Sequence, residues 1–370
     1  MSAFRARSGI VWSLLVPLVS VALALATAGL LLVASGTDPI TAFHSMWSAA
    51  LGSSFAIGTT IVKTMPRLLP ALGIGLALRA GLWNIGAEGQ IYVGAIAATG
   101  VALFGPQLPF RGTTALALLA GGLAGAAWGA IPGVLRAARG ISEVITSLML
   151  VYVAVQLANY LVEGPWLVPN TTFPATEPVP PDSRLPIVWT GTLVHAGVVV
   201  SVLAVLAVWF VVARTSFGLR LAAVGGNDRA ARVAGISVAA TTIVAMAASG
   251  ALAGLAGGVE VLGSRGQLIE GFSPGYGFEA IAIALLGRLN PLGIVAASLL
   301  FGALDAGGAG LQTAAQGVSS SIVPVTEGLA VVYVLVGLGV VELLSRRRRA
   351  KAALEEAHHL DVRPVGQVAP

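Results

Sequence analysis

Apolar residues gather into long uncharged runs, and the polar residues between them form short, often basic connectors. A run of about 20 apolar residues, rising 1.5 Å each in a helix, matches the hydrocarbon core of a bilayer. None alternates in polarity as the strand of a membrane barrel would, so the runs predict helices. They fall at 11–34, 68–82, 91–104, 113–135, 144–162, 193–213, 238–262 and 322–344. Between the last two, 276–286 is apolar but only half a span, the polar stretch from Arg288 to Pro291 interrupts it, and 292–304 continues. Two short segments meeting at a polar break predict a discontinuous helix of the kind that lines a pathway. Residues 43–60 are weakly apolar and rich in Ser and Gly, which predicts an outer interfacial or re-entrant helix. Lys63, Pro66 and Arg67 then sit at the outer surface, ahead of a short crossing at 68–82 with Arg79 snorkelling. The alternative starts that span near Phe55 and buries Lys63 at a cost of about 3 kcal/mol. The fold class is an all-α polytopic membrane protein of about ten transmembrane helices, short or discontinuous segments included.

Composition fits that class: 56% of the residues are hydrophobic and 10% charged, against roughly 25% charged in a soluble domain. The net charge of +5 needs no nucleic acid to explain it, because the excess lies near span ends and in the tail from Arg346 to Lys351, as the positive-inside rule requires. That rule places both termini in the cytoplasm. The chain then divides into a cytoplasmic N-terminus at 1–10, a transmembrane domain at 11–345, and a basic stop with its tail at 346–370. Ala26-Thr27-Ala28 resembles a signal-peptidase site, but the run at 11–34 is too long for a typical signal peptide and is expected to stay uncleaved. Residues 164–192 are proline-rich and aperiodic, an outer loop long enough to contact a partner. Many of the 47 glycines lie inside apolar runs. Gly121, Gly125, Gly129 and Gly133 repeat every four residues, as do Gly250, Gly254 and Gly258, so two helices present small-residue faces for close packing. With no cysteine there is no disulfide framework or thiolate site.

The interior connector densest in charge is 214–236. Leu219 to Val224 can form a helical turn or two, Gly225-Gly226 can stop it in left-handed geometry, and Asn227 can cap a second short helix through Ala234. Ala230, Val233 and Ala234 would share one face and Arg229 and Arg232 another. Either this is a rigid basic knob held between two spans, or it is a solvated loop that obeys charge topology.

A second polar stretch, Arg79 to Gly94, sets Asn84, Glu88 and Gln90 among glycines between apolar runs, with Trp83 and Tyr92 as flanking aromatics. Such groups are costly in lipid unless they face protein or water. It is a pathway-lining segment or a short turn in which Glu88 pairs with Arg79. Of Glu260, Glu270 and Glu279, the last lies inside a short apolar helix and is the better candidate for a pathway or structural contact.

Patterns for catalysis fail on context. Gly271-Phe272-Ser273-Pro274-Gly275 matches G-x-S-x-G without the strand–turn–helix a nucleophile elbow needs. No Walker A loop is present, since neither Lys63 nor Lys351 follows a glycine. His44, His195, His358 and His359 lack metal-ligand spacing, so no catalytic or metal residue is assigned.

At three places the sequence resembles the permease subunits of ABC importers for nucleosides and simple sugars. These are Gly81-Leu-Trp83-Asn84-Ile-Gly86-Ala-Glu88-Gly89-Gln90, Gly218-Leu-Arg220 with Val224-Gly225-x-Asn227 and Ala234-Gly235-Ile236, and Gly275-Tyr-Gly-Phe278-Glu279 with Leu285-Leu-Gly287-Arg-Leu-Asn290-Pro291. The resemblance runs from about residue 10 to 345. It implies a non-catalytic subunit in a bacterial cell membrane that binds no cofactor itself. Its implied partners are a separate ATPase carrying ATP and Mg²⁺, a second related permease and an extracytoplasmic substrate-binding protein. On this likeness Trp83, Asn84, Glu88, Gln90, Phe278, Glu279 and Asn290 are the candidate pathway residues. Gly218, Arg220, Gly225, Asn227, Asp228, Arg232 and Gly235 are the candidates for coupling to the ATPase. An ion-coupled secondary transporter of a small polar solute is the alternative; it needs ionisable residues deep within spans and a clear inverted repeat, neither of which is evident. A scaffold protein would not need the glycine-broken polar segments.

Overall fold

The computed structural model describes residues 22–34, 36–169 and 173–314, with isolated positions at 19 and between 325 and 343. Two compact units divide the chain, Met1–Pro39 with Val318–Pro370, and Ile40–Gly317. In the first, α1 (Ala22–Ala34) is apolar, and Thr27 Oγ1 lies 2.9 Å from the Tyr333 hydroxyl. The segments 1–10 and 346–370, and most of the predicted span 322–344, lie outside the described residues.

The second unit follows α2 (Pro39–Leu51) with α3 (Ser54–Arg79), α4 (Ala87–Phe104), α5 (Gly112–Arg139) and α6 (Glu143–Glu163). It continues with α7 (Gly197–Arg214), the short α8 (Ser216–Gly226) and α9 (Asp228–Val233), α10 (Val238–Val259), α11 (Tyr276–Leu286) and α12 (Pro291–Ala314). A π-helical turn, Glu260–Arg265, extends α10. Among the described residues, seven helices are long and apolar enough to cross a bilayer: α3 to α7, α10 with its extension, and α12. The described residues form helices and loops with two isolated β-bridges and no longer strand pairing, in keeping with the predicted all-α class.

Two expectations are corrected. Residues 43–60 do not form one interfacial helix. α2 ends at Leu51, Ser53 accepts a hydrogen bond from Ala56 N at 3.1 Å, and α3 runs unbroken for 26 residues with Lys63 and Arg67 in its middle. Arg67 is not at the outer surface; it is 2% exposed. The burial that looked prohibitive is compensated by carboxylates more than 200 residues away in sequence. Nor are 276–286 and 292–304 two halves of one crossing. α11 runs beside α3, the chain reverses through Gly287 to Asn290, and α12 returns antiparallel along α3 as a full span. Ile294 meets Gly75, Gly302 meets Thr60 and Thr64, and Gly307 meets Met46. The reversal places Arg288 and Leu289 in left-handed geometry, at φ 53° and 57°, a cost of roughly 1 kcal/mol or more per residue.

The predicted glycine faces pack on each other. Gly121 and Gly125 of α5 lie against Gly250 and Gly254 of α10, closely enough that a methyl on Gly125, Gly250 or Gly254 would overlap backbone of the facing helix and one on Gly121 would be tight, and Gly94 of α4 meets Gly254 as well. A methyl on Gly129 would lie 2.6 Å from the Met246 carbonyl. Helices in lipid lack a hydrophobic drive to associate, and such approach of backbones replaces it. The proline-rich segment after α6 is fastened to the far end of α10. Thr176 N donates to Leu268 O, Val179 N to Gly266 O and Leu185 N to Leu262 O, all within 2.8–2.9 Å.

Candidate functional site

Four polar groups of different chemistry lie within or at the ends of this bundle. The first is an ion-pair network between α3, α11 and α12. Arg67 Nε donates to Glu279 at 2.5 Å and its Nη1 to Asp305 at 2.9 Å, and Lys63 lies 3.5 Å from Asp305. Arg67 Nη1 also donates to the Lys63 carbonyl at 2.8 Å, and its guanidinium stands 4.8 Å from the ring centre of Tyr276. Two cations face two carboxylates, so the cluster is neutral as a whole, which is the condition for holding charge inside a span. Sequence reasoning singled out Glu279, set Lys63 and Arg67 outside the bilayer and passed over Asp305. The signal was there: Asp305 is the one charged residue between Pro291 and Ala314.

In the second group, Asn84 and Gln90 form a reciprocal amide pair. Asn84 Nδ2 donates to Gln90 Oε1 at 2.8 Å, Gln90 Nε2 donates to Asn84 Oδ1 at 3.0 Å, and Asn84 Nδ2 also reaches Ser249 Oγ at 2.8 Å. Both side chains are buried and spent on each other. One turn away, Glu88 in the first turn of α4 accepts from Gly277 N of α11 at 2.7 Å, so one carboxylate satisfies the start of a second helix. Gly277 is required there because a Cβ would overlap the backbone of Glu88. Glu88 does not pair with Arg79. Arg79 donates instead through Nε and Nη2 to the Leu289 carbonyl at 3.2 and 2.7 Å, holding the left-handed turn after α11. α11 is thus held by α3 at both ends, through Arg67 to Glu279 and through Arg79 to Leu289. Trp83 and Phe278 are each 44% exposed. Asn290 is exposed and caps α12 by accepting from Leu292 N at 3.0 Å, away from the buried groups.

The third group is the helix pair α8–α9. Thr215 caps α8, and Asn227 caps α9 by accepting from Arg229 N and Ala230 N at 3.0 and 3.1 Å. The corner differs from expectation. Gly225 and Gly226 belong to α8 itself, and the left-handed residue is Gly235, at φ 79°. Gly225 is needed for close approach, since a methyl there would overlap the Arg79 carbonyl at the end of α3. Gly218 is confined in the same way by Val211 and Val212 carbonyls, each 2.6 Å from where its Cβ would be. In α9 it is Ala231 that is buried, while Val233 is exposed. Arg220, Asp228 and Arg232 are exposed, with Asp228 and Arg232 joined at 3.3 Å. The same face of the bundle carries Arg136, paired with buried Glu143, which in turn accepts from Trp83 N at 3.2 Å.

The fourth group lines a cavity of about 320 Å³ at the opposite end, between α3, the π-helical turn and the strap 187–195. Glu260 holds Arg265 at 3.2 Å on its rim. Buried His195 accepts from Gly197 N at Nδ1, 3.2 Å away, so Nε2 carries the proton and donates to Ser264 Oγ at 3.3 Å. Burial pulls this imidazole down to about 4, and it stays neutral at physiological pH. Gly263 leaves room for the ring, which a Cβ would overlap.

A half-length helix that starts inside the bundle beside full spans, its first turn satisfied by buried Glu88 and its following turn by Arg79, is an arrangement that solute-conducting membrane proteins use. The class is therefore a polytopic membrane permease. Residues 56–339 match the family described as branched-chain amino acid transport system / permease component, and the chain belongs to that family. It is 39% identical over 332 residues to a glucose ABC transporter permease protein of Haloferax volcanii, covering 86% of each chain. It is 34% identical to a guanosine ABC transporter permease protein of Bacillus subtilis over 87% of this chain and 92% of that one. With a nucleoside ABC transporter permease protein of Lactococcus lactis it shares 32% over 92% and 95% of the two chains. Each of these organisms also has a second matching permease, at 29 or 30% identity over a shorter stretch. No solved structure matches the chain. The protein is accordingly a membrane-embedded, non-catalytic permease subunit of an ABC transporter system.

Proposed function

We propose that this subunit forms the translocation pathway of an ATP-driven importer for nucleosides or related ribose-containing or simple sugars, driven by a separate ATPase that docks on α8–α9. The observation that carries this reading is the seating of an exposed, doubly capped helix pair on the last turn of α3 through Gly225. α3 also bears Lys63 and Arg67, so a push on α8–α9 is delivered along one continuous helix to the ion-pair network. The ATPase would hold ATP and Mg²⁺, and this chain no cofactor. A second, related permease would complete the membrane part, consistent with the paired permeases among the relatives. An extracytoplasmic binding protein would deliver substrate to the cavity end. The α8–α9 face would then lie in the cytoplasm of a bacterial cell, with both chain termini on that side.

The test is purification of the tagged chain in mild detergent followed by ATPase assay with loaded and empty binding protein. The double variant Asp228→Arg, Arg232→Glu reverses the pair on α9 yet keeps an i,i+4 attraction, so the helix survives while its charge pattern is inverted. We expect at least a tenfold loss of stimulated ATPase and uptake; normal values for both would sink the docking role. One observation favours the ion-coupled alternative, namely that four ionisable residues do lie within or beside the spans. Uptake in proteoliposomes under an ion gradient, with no ATPase present, would establish it instead.

A further inference from the structure

We propose that the cavity between α3, the turn Glu260–Arg265 and the strap 187–195 binds an uncharged, hydroxylated ring, that of a nucleoside or of a hexose. This deepens the transport reading and rests on it. A volume of about 320 Å³ falls at the lower end of small-molecule sites, roughly 300–1,000 Å³. Its lining is mixed: Val62, Pro66 and Leu193 supply apolar surface, while Lys63, Arg265 and Ser264 supply donors. Each cation is already matched. Lys63 faces Asp305 at 3.5 Å and Arg265 faces Glu260 at 3.2 Å, with the cation of each pair the more exposed member, 39% against 26% and 35% against 6%. Asp305 is outside the lining, behind Lys63, whereas Glu260 lines the cavity beside Arg265, so a ligand meets N–H donors from both cations and a carboxylate acceptor from Glu260. Lysine has three donors and arginine five, and one carboxylate contact on each leaves donors for ligand oxygens. Because no positive charge is left over, an anion gains little here, whereas hydroxyls gain directional hydrogen bonds. His195 adds no charge, and by donating to Ser264 it leaves that hydroxyl's own proton free for a ligand. Val62, Pro66 and Leu193 supply the apolar contact for the C–H groups of a ring.

The experiment measures equilibrium binding of radiolabelled adenosine, glucose and adenosine monophosphate to the purified full chain in detergent. Ser264→Trp fills the cavity from an exposed rim position, and Thr59→Val removes a lining hydroxyl without changing shape. Both are compared with wild type for elution and thermal midpoint. We expect saturable binding of adenosine or of glucose, the two arms separating nucleoside from hexose. Binding should fall at least tenfold in Ser264→Trp and about threefold in Thr59→Val, and the monophosphate should bind at least tenfold more weakly than adenosine. No saturable binding of either neutral ring, undiminished binding in both variants, or equal affinity for the monophosphate would overturn the site. ATP-driven uptake by the assembled transporter separates this from the function itself. Wild-type uptake by the Ser264→Trp complex removes the site and keeps the importer, while binding without any ATPase partner keeps the site and removes the importer.

Discussion

Replacing Arg67 by Met tests whether the mid-span network is a matched set. The side chain is 3% exposed and holds Glu279 at 2.5 Å and Asp305 at 2.9 Å. Its removal leaves two carboxylates facing Lys63 alone, one net negative charge inside the span. Breaking a buried pair from one side costs about 3–5 kcal/mol. Because Glu279 and Asp305 are 20% and 26% exposed, the lower end applies, about 3 kcal/mol. Charge balance makes a sharper statement: adding Glu279→Gln to Arg67→Met returns the cluster to neutrality and should recover about 2 kcal/mol. Reversible unfolding by SDS titration in mixed micelles, for wild type, both single variants and the double variant, measures this. A loss below about 1 kcal/mol in Arg67→Met, or a double variant no more stable than that single, would refute it.

Gly254→Ala should separate α5 from α10 and cost about 1–3 kcal/mol, since its methyl would lie 2.9 Å from the Gly125 Cα. Gly100→Ala, whose methyl would lie 3.4 Å from the Trp166 ring, should be neutral in the same titration. Asn84→Ala leaves the Gln90 amide without its partner and should cost about 1–3 kcal/mol, read as a lowered thermal midpoint in detergent. For His195, a folded value of about 4 against 6.5 unfolded means that the unfolded chain takes up a proton first. Its contribution to stability is fully present above pH 6.5 and is lost as pH falls from 6.5 to 4, by up to about 3 kcal/mol. Lys63, Glu260, Arg265 and Tyr276 line the same cavity, so His195→Gln is needed to isolate this share: it should flatten the unfolding curve across that window.

Most spans were legible because charge-free runs of sufficient length have few alternatives. The runs read at 113–135 and 144–162 became Gly112–Arg139 and Glu143–Glu163, and the glycine repeats named both faces of the α5–α10 contact. What hydropathy could not read was compensation at a distance. Lys63 and Arg67 look unfit for a span until Glu279 and Asp305 are set beside them, and local sequence does not carry that pairing. For the same reason 291–314 seemed to end at Leu304, one residue before Asp305. At the polar stretch the residues were found and their partners were not. Asn84, Glu88 and Gln90 are buried and engaged with protein, while Asn290 serves an exposed cap. At 214–236 the cap at Asn227 was read from its side chain, but the role of Gly225 depends on the approach of α3, which only the fold supplies.

The two fastenings of α11 turn the length of α3 into a gauge. Arg67 and Arg79 are twelve residues apart, about 18 Å of helix, and α11 with its following turn matches that interval. A rod pinned once can swivel; pinned twice, it keeps both its offset and its tilt. A single residue inserted between the two arginines would turn one pin by about 100° away from its socket while leaving hydropathy and helix propensity nearly unchanged. Within this interval the number of residues is therefore constrained more tightly than their identity.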